Sequence, residues 1–123
     1  PTGLAIDSRN ARLFSTCQNR RMVVTDAKTG RQVAQLPIGE GPDGAAFDPA
    51  TREAFSADGK TGTLTVVRED DANHFHVAQT LATQAGARTV ALDPAGRQAT
   101  LKVCPWRHNR RSAAPSPGTA RCV

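Results

Sequence analysis

Apolar residues along this chain come in short runs or alternate with polar ones, and no window of about eleven residues keeps a helical period. The stretches TLTVVR and FHVAQTLA, and the trio Val33, Leu36 and Ile38, are of this kind. Bounded by Gly, Pro, Asn and Asp, they predict short β-strands joined by tight turns. Strands are predicted over residues 3–7, 12–17, 21–26 and 32–38, with turns at 8–10 and 28–30. The same sequence of events follows over residues 44–48, 53–57, 63–68 and 75–82. A third start, TVALD then RQATLKV, covers residues 89–103 and ends at Cys104.

The predicted elements repeat. PTGLAIDSRNARLFS from Pro1, PDGAAFDPATREAFS from Pro42 and ARTVALDPAGRQATL from Ala87 superpose on Asp7, Asp48 and Asp93, spaced 41 and then 45 residues. Each copy carries a turn, a short strand of small apolar residues, Asp-Ser or Asp-Pro, and an Arg before a second strand. Four strands in such a period match the blades of a β-propeller, which repeat about every 40–50 residues. The expectation is an all-β chain of about two and a half four-stranded antiparallel blades. The predicted units are a blade at 1–41, a blade at 42–86, the start of a third at 87–103, and an irregular basic tail at 104–123.

The stretch PTGLAIDSRNARLFSTCQNRRMVVTDAKTGRQVAQLPIG resembles the YVTN-type β-propeller repeat family, related to lactonase-like and cytochrome-d1-like propellers. MVVTDAKTG stands in the family's signature region, and the likeness spans about residues 1–103. No Tyr-Val-Thr-Asn is present: Phe14 and Phe55 hold the aromatic position, and the following turn is Gln18-Asn19-Arg20 in one copy and Gly59-Lys60-Thr61 in the next. The resemblance implies a non-catalytic binding or scaffold module of a bacterial cell-envelope protein, periplasmic or secreted. A fragment of a lactonase-like hydrolase is the alternative, its ligands converging on a central channel from several blades. Propellers host many unrelated functions, so the fold alone names none of them.

Closing a ring takes about four to eight blades. The expectation is therefore a fragment whose partners are the remaining blades, or further copies through self-association, because an uncovered terminal blade exposes apolar surface and strand edges. The tail CPWRHNRRSAAPSPGTARCV has no strand period and is expected to be dispensable, either disordered or read out of frame.

Composition adds two exclusions. No stretch approaches the roughly 20 apolar residues of a membrane helix. The formal charge of +5 invites nucleic-acid binding, but all eleven acids lie between Asp7 and Asp93, and eleven of the sixteen bases lie in residues 1–101. The excess belongs to residues 102–123, through Lys102, Arg107, Arg110, Arg111 and Arg121. A basic tail on a neutral body, without interleaved aromatics, makes nucleic-acid binding the weakest reading.

Candidate chemistry is sparse. Residues 39–44 spell GxGxxG, but Gly44 opens the strand AAFD where a dinucleotide site needs a helix. Residues 54–61 approach a phosphate loop, yet they also lead into a strand. His74 and His76 flank Phe75 and point to one face, beside Asp70 and Asp71. They are weak metal candidates because zinc takes a third and fourth ligand. The preferred reading is an exposed pair, with no metal, no cofactor and no catalytic residue. Asp7, Asp48 and Asp93 are expected to accept backbone hydrogen bonds in turns. Cys17 is expected to be a small core residue. The three cysteines form no C-x-x-C pair, and no nucleophile–base set is legible.

Overall fold

The computed structural model describes residues 1–93, 95 and 98–103, so the readings of the tail at 104–123 lie outside the described residues. Among the described residues ten strands form three antiparallel sheets in sequence order. The first sheet is β1 (Gly3–Asp7), β2 (Arg12–Cys17), β3 (Arg21–Asp26) and β4 (Gln32–Pro37), hydrogen-bonded in that order. The second is β5 (Pro42–Asp48), β6 (Glu53–Asp58), β7 (Thr63–Asp71) and β8 (His74–Ala82). The third pairs β9 (Ala87–Asp93) with β10 (Gln98–Val103). Among the described residues no helix is long and apolar enough to cross a membrane.

Aspartates at strand ends set the hairpins. Asp7 accepts the Arg9 and Asn10 N–H groups at 2.9 and 3.2 Å, Asp48 accepts that of Ala50 at 2.9 Å, and Asp93 that of Ala95 at 3.0 Å. Each satisfies turn amides within a few residues of itself, as the repeat predicted. Asp26 does the same for Lys28 and Thr29, at 2.8 and 3.1 Å.

Several strands run further than the sequence pattern predicts. β7 continues past Arg68 to Asp71, so Asp70 and Asp71 are strand residues and Ala72-Asn73 alone makes the turn. Glu69 pairs with Phe75, and a bulge between Glu69 and Asp71 absorbs one residue so that Asp71 still meets His74. β5 begins at Pro42 rather than at Gly44, with a bulge between them.

The sheets stack face to face, with β1 against β5 and β5 against β9. Phe14, Met22, Val24 and Leu36 of the first sheet meet Ala54 and Val67 of the second, and Ala5, Ala34, Phe47 and Val77 pack around them. Phe14 is fully buried, stacked on Phe47 at a centroid distance of 5.1 Å and edge-on to Phe75 at 5.8 Å. On the opposite face of the second sheet Ala57, Leu64 and Val66 are buried, and Ala87 is buried at the start of β9. The first strands of successive repeats approach backbone to backbone. A Cβ on Gly3 would lie 2.9 Å from the Ala45 nitrogen, and one on Gly44 would lie 2.7 Å from the Arg88 oxygen. Glycine at that place in the repeat is thus a packing requirement.

Among the described residues no other sheet covers one face of the first sheet. Leu4 and Ile6 are 62% and 53% exposed, while Leu13, Ser15, Cys17 and Val23 on the same side are half-buried. Cys17 is therefore not a core residue. Alternation along β2 sends Arg12, Phe14 and Thr16 inward and leaves Cys17 on the open side.

Candidate functional site

Polar side chains gather where the β1–β2 and β3–β4 turns of the first sheet meet the β7–β8 hairpin of the second. Arg12 is the centre of this cluster and is 8% exposed. Its Nε donates to the Ala72 carbonyl at 2.6 Å and its Nη2 to Asn73 Oδ1 at 3.2 Å, both in the neighbouring hairpin. Its Nη1 donates to the Asn10 carbonyl and to Asp26 Oδ2, at 3.0 and 2.9 Å. The planar fork of a guanidinium suits this, because its donors reach four directions at once. The bonds from the Lys28 and Thr29 amides, aided by Arg12, hold the Asp26 carboxyl below the usual aspartate range.

Beside Arg12 lie two buried carboxyl groups, Asp7 and Glu69, 3% and 1% exposed. Asn10 Nδ2 donates to Glu69 Oε1 at 3.2 Å, whereas Glu69 Oε2 has no hydrogen-bond donor among the described residues. Burial, then the nearby Asp7 carboxylate, pushes the Glu69 carboxyl above the ordinary range.

His74 and His76 stand on the outer strand of the second sheet, each facing its own carboxylate. His74 Nδ1 lies 2.8 Å from both Asp71 oxygens, and His76 Nδ1 lies 2.6 Å from Asp70 Oδ2. The His side chains are 76% and 50% exposed. The Asp71 carboxyl is lowered, first by the Asn73 amide and then by His74. Both imidazoles share one face of β8, and the structure gives them separate partners rather than a common centre. Among the described residues no three His, Cys, Asp or Glu side chains converge as metal ligands.

The two phosphate-like motifs serve as turns. Gly39 N–H donates to Asp58 Oδ2 at 3.0 Å, and Gly44 lies inside β5. In the second motif the Gly59 and Lys60 amides bond the Gly41 and Glu40 carbonyls at 2.9 and 3.1 Å. These amides are already used, so they do not form an anion cradle.

A second polar cluster was not legible in the sequence. Asp58, fully buried, accepts from Ser56 Oγ and Thr65 Oγ1, both at 2.6 Å, and from Gly39 N–H. It ties the crossing from β4 to β5 onto β6 and β7. Ser56, Asp58 and Thr65 sit at alternating strand positions, the one sequence signal available. Arg12 and Glu69 were also missed as site residues, since each looks like an ordinary charge at a strand end. Most of these groups bind backbone and one another, within a sheet or between sheets; Glu69 Oε2 is the exception.

No family model matches the chain, and no curated protein matches it. Solved structures do. A hydrazine synthase chain of Kuenenia stuttgartiensis superposes with a TM-score of 0.75 at 14% identity, over 85% of this chain and 29% of that one. A chain of a mitotic checkpoint complex superposes with a TM-score of 0.68 at 17% identity, over 82% of this chain and 32% of that one. This chain thus spans about a third or less of the propeller-containing proteins it resembles. At such identities the likeness speaks for fold alone, and with successive four-stranded antiparallel sheets it makes the chain a partial β-propeller.

Proposed function

We propose that the chain acts as a non-catalytic scaffold or binding segment of a β-propeller, whose first sheet receives a further sheet of the same kind. The observation that carries this reading is the uncovered face of β1 and β2. Leu4 and Ile6 occupy the repeat positions of Ala45 and Phe47, and in the second sheet Phe47 is covered by Phe14 of its neighbour. The open face is therefore shaped for a sheet presenting the equivalent of Phe14, from the remaining blades or from a second copy. The use of Arg12, Asp58 and the turn aspartates as inter-sheet and turn ties supports a structural rather than a catalytic role. The likeness of residues 1–103 to YVTN-type repeats extends the proposal to a bacterial cell-envelope setting.

Sedimentation velocity on the full chain tests it. The chain is expected to self-associate at about tens of micromolar, and Leu4→Asp with Ile6→Asp to abolish the association while leaving the circular dichroism spectrum unchanged. A wild-type chain that stays monomeric, or association that the double variant leaves intact, overturns the assignment of this face.

A further inference from the structure

We propose that Asp7 and Glu69 share a single proton across the junction of the first two sheets, carried on Glu69, so that this junction loosens as pH rises. Glu69 lies in β7 of the second sheet and Asp7 at the end of β1 in the first. Both are nearly inaccessible to water, at 1% and 3% exposure. Asn10 bridges the two, its backbone N–H donating to Asp7 Oδ2 and its side-chain amide to Glu69 Oε1, each at 3.2 Å. Two ionised carboxylates gathered on one bridging residue in a dry interface repel each other, whereas one proton between them makes a charge-assisted bond.

The hydrogen-bond inventory points the same way. Asp7 already accepts the Arg9 and Asn10 amides, one on each oxygen. Glu69 Oε1 accepts from Asn10 Nδ2, which leaves Oε2 as the buried atom without a donor. Placing the proton on Oε2 converts that orphan into a donor to Asp7, whose oxygens each keep a free lone pair.

The surrounding charges do not remove the need for that proton. Arg12 of β2 is engaged elsewhere, pairing with Asp26 at 2.9 Å. Arg52, in the turn between β5 and β6, offers its carbonyl to the Glu69 amide at 2.9 Å. Its positive charge opposes the shift but ranks below burial and Asp7. Within β7, Arg68 pairs with Glu53 of β6 at 3.9 Å, and Asp70 pairs with His76 of β8. Opposite Glu69 on β8 stands Phe75, which brings no charge.

The direction of the pH effect follows. A carboxyl whose folded-state pKa is raised contributes stability below its unfolded value and loses it as pH climbs through the folded value. The lowered carboxyls Asp26 and Asp71 act at the other end, losing their contribution as pH falls below the ordinary aspartate range. The two windows do not overlap, so the Glu69 effect is read on the neutral side.

The experiment is a carbon-13 NMR titration of the Glu69 carboxyl in the full chain, alongside thermal unfolding from about pH 4 to about pH 9. The Glu69 midpoint is expected above the ordinary glutamate range, and the folded-to-unfolded ratio to fall by up to about tenfold per pH unit through that window. Glu69→Gln supplies a permanent amide donor to Asp7 while its oxygen still accepts from Asn10. It is expected to remove that fall. A Glu69 midpoint at or below the ordinary range, or the same fall in Glu69→Gln, overturns the proposal. Should Glu69→Gln not fold, Asp7→Asn gives the second reading: removal of the neighbouring charge is expected to lower the Glu69 midpoint. An unchanged midpoint there overturns the proposal too.

Discussion

Replacing Phe14 by Ala probes the contact on which the stacking of the first two sheets rests. Phe14 is fully buried and touches two aromatic rings of the second sheet, stacked on Phe47 at an interplanar angle of 13° and edge-on to Phe75 at 77°. Truncating a buried Phe to Ala costs about 3–5 kcal/mol, from lost transfer energy and the cavity left behind. The aromatic geometry favours the upper half of that range, because each ring pair adds about 0.5–1.5 kcal/mol beyond burial. A loss near 4 kcal/mol lowers the folded-to-unfolded ratio roughly a thousandfold. That is a large part of the 5–15 kcal/mol that about spans the stability of a domain. Phe14→Leu keeps most of the volume and is expected to cost about 1 kcal/mol. Ile6→Ala serves as the comparison, since Ile6 is 53% exposed and loses little on truncation. Urea unfolding followed by far-ultraviolet circular dichroism is the suitable assay: the chain has no tyrosine, and its one tryptophan is Trp106, outside the described residues. A Phe14→Ala variant that loses less than about 1 kcal/mol, or no more than Ile6→Ala, refutes the central place given to this ring.

The remaining predictions concern backbone approach and the Arg12 fork. Gly44→Ala forces a Cβ to 2.7 Å from the Arg88 oxygen and is expected to lower the thermal midpoint by several degrees; overpacking of this kind costs about 1–3 kcal/mol. Gly30, at φ 73° with nothing within 4 Å of its absent Cβ, isolates the backbone strain alone. Gly30→Ala is therefore expected to cost about 1 kcal/mol at most. Arg12→Lys keeps the charge but not the four-way fork, and thermal unfolding is expected to show most of the loss seen in Arg12→Ala, about 2–3 kcal/mol. A Lys variant as stable as the native chain would show that charge alone holds the hairpin.

What the chain's own order of residues determined is local. Strand positions, the turns at Asp7, Asp48 and Asp93, and the repeat of four-stranded sheets follow from period-2 patterning and from side chains bonding amides two or three residues away. Those interactions are complete within a single hairpin, so the sequence displays both partners side by side. The tertiary structure alone decided which face each strand turns inward. Thr16 is buried and Cys17 is not, although composition favours the reverse. It also decided the fate of the charges. Asn10 meets Glu69, and Arg12 meets Ala72 and Asn73, across separations of 59, 60 and 61 residues. Asp58 reaches back 19 residues to Gly39. A charged residue at a strand end looks solvated in any local window. Only when the second sheet folds back onto the first does water leave, and the cost of stranding a buried polar group then fixes each partner.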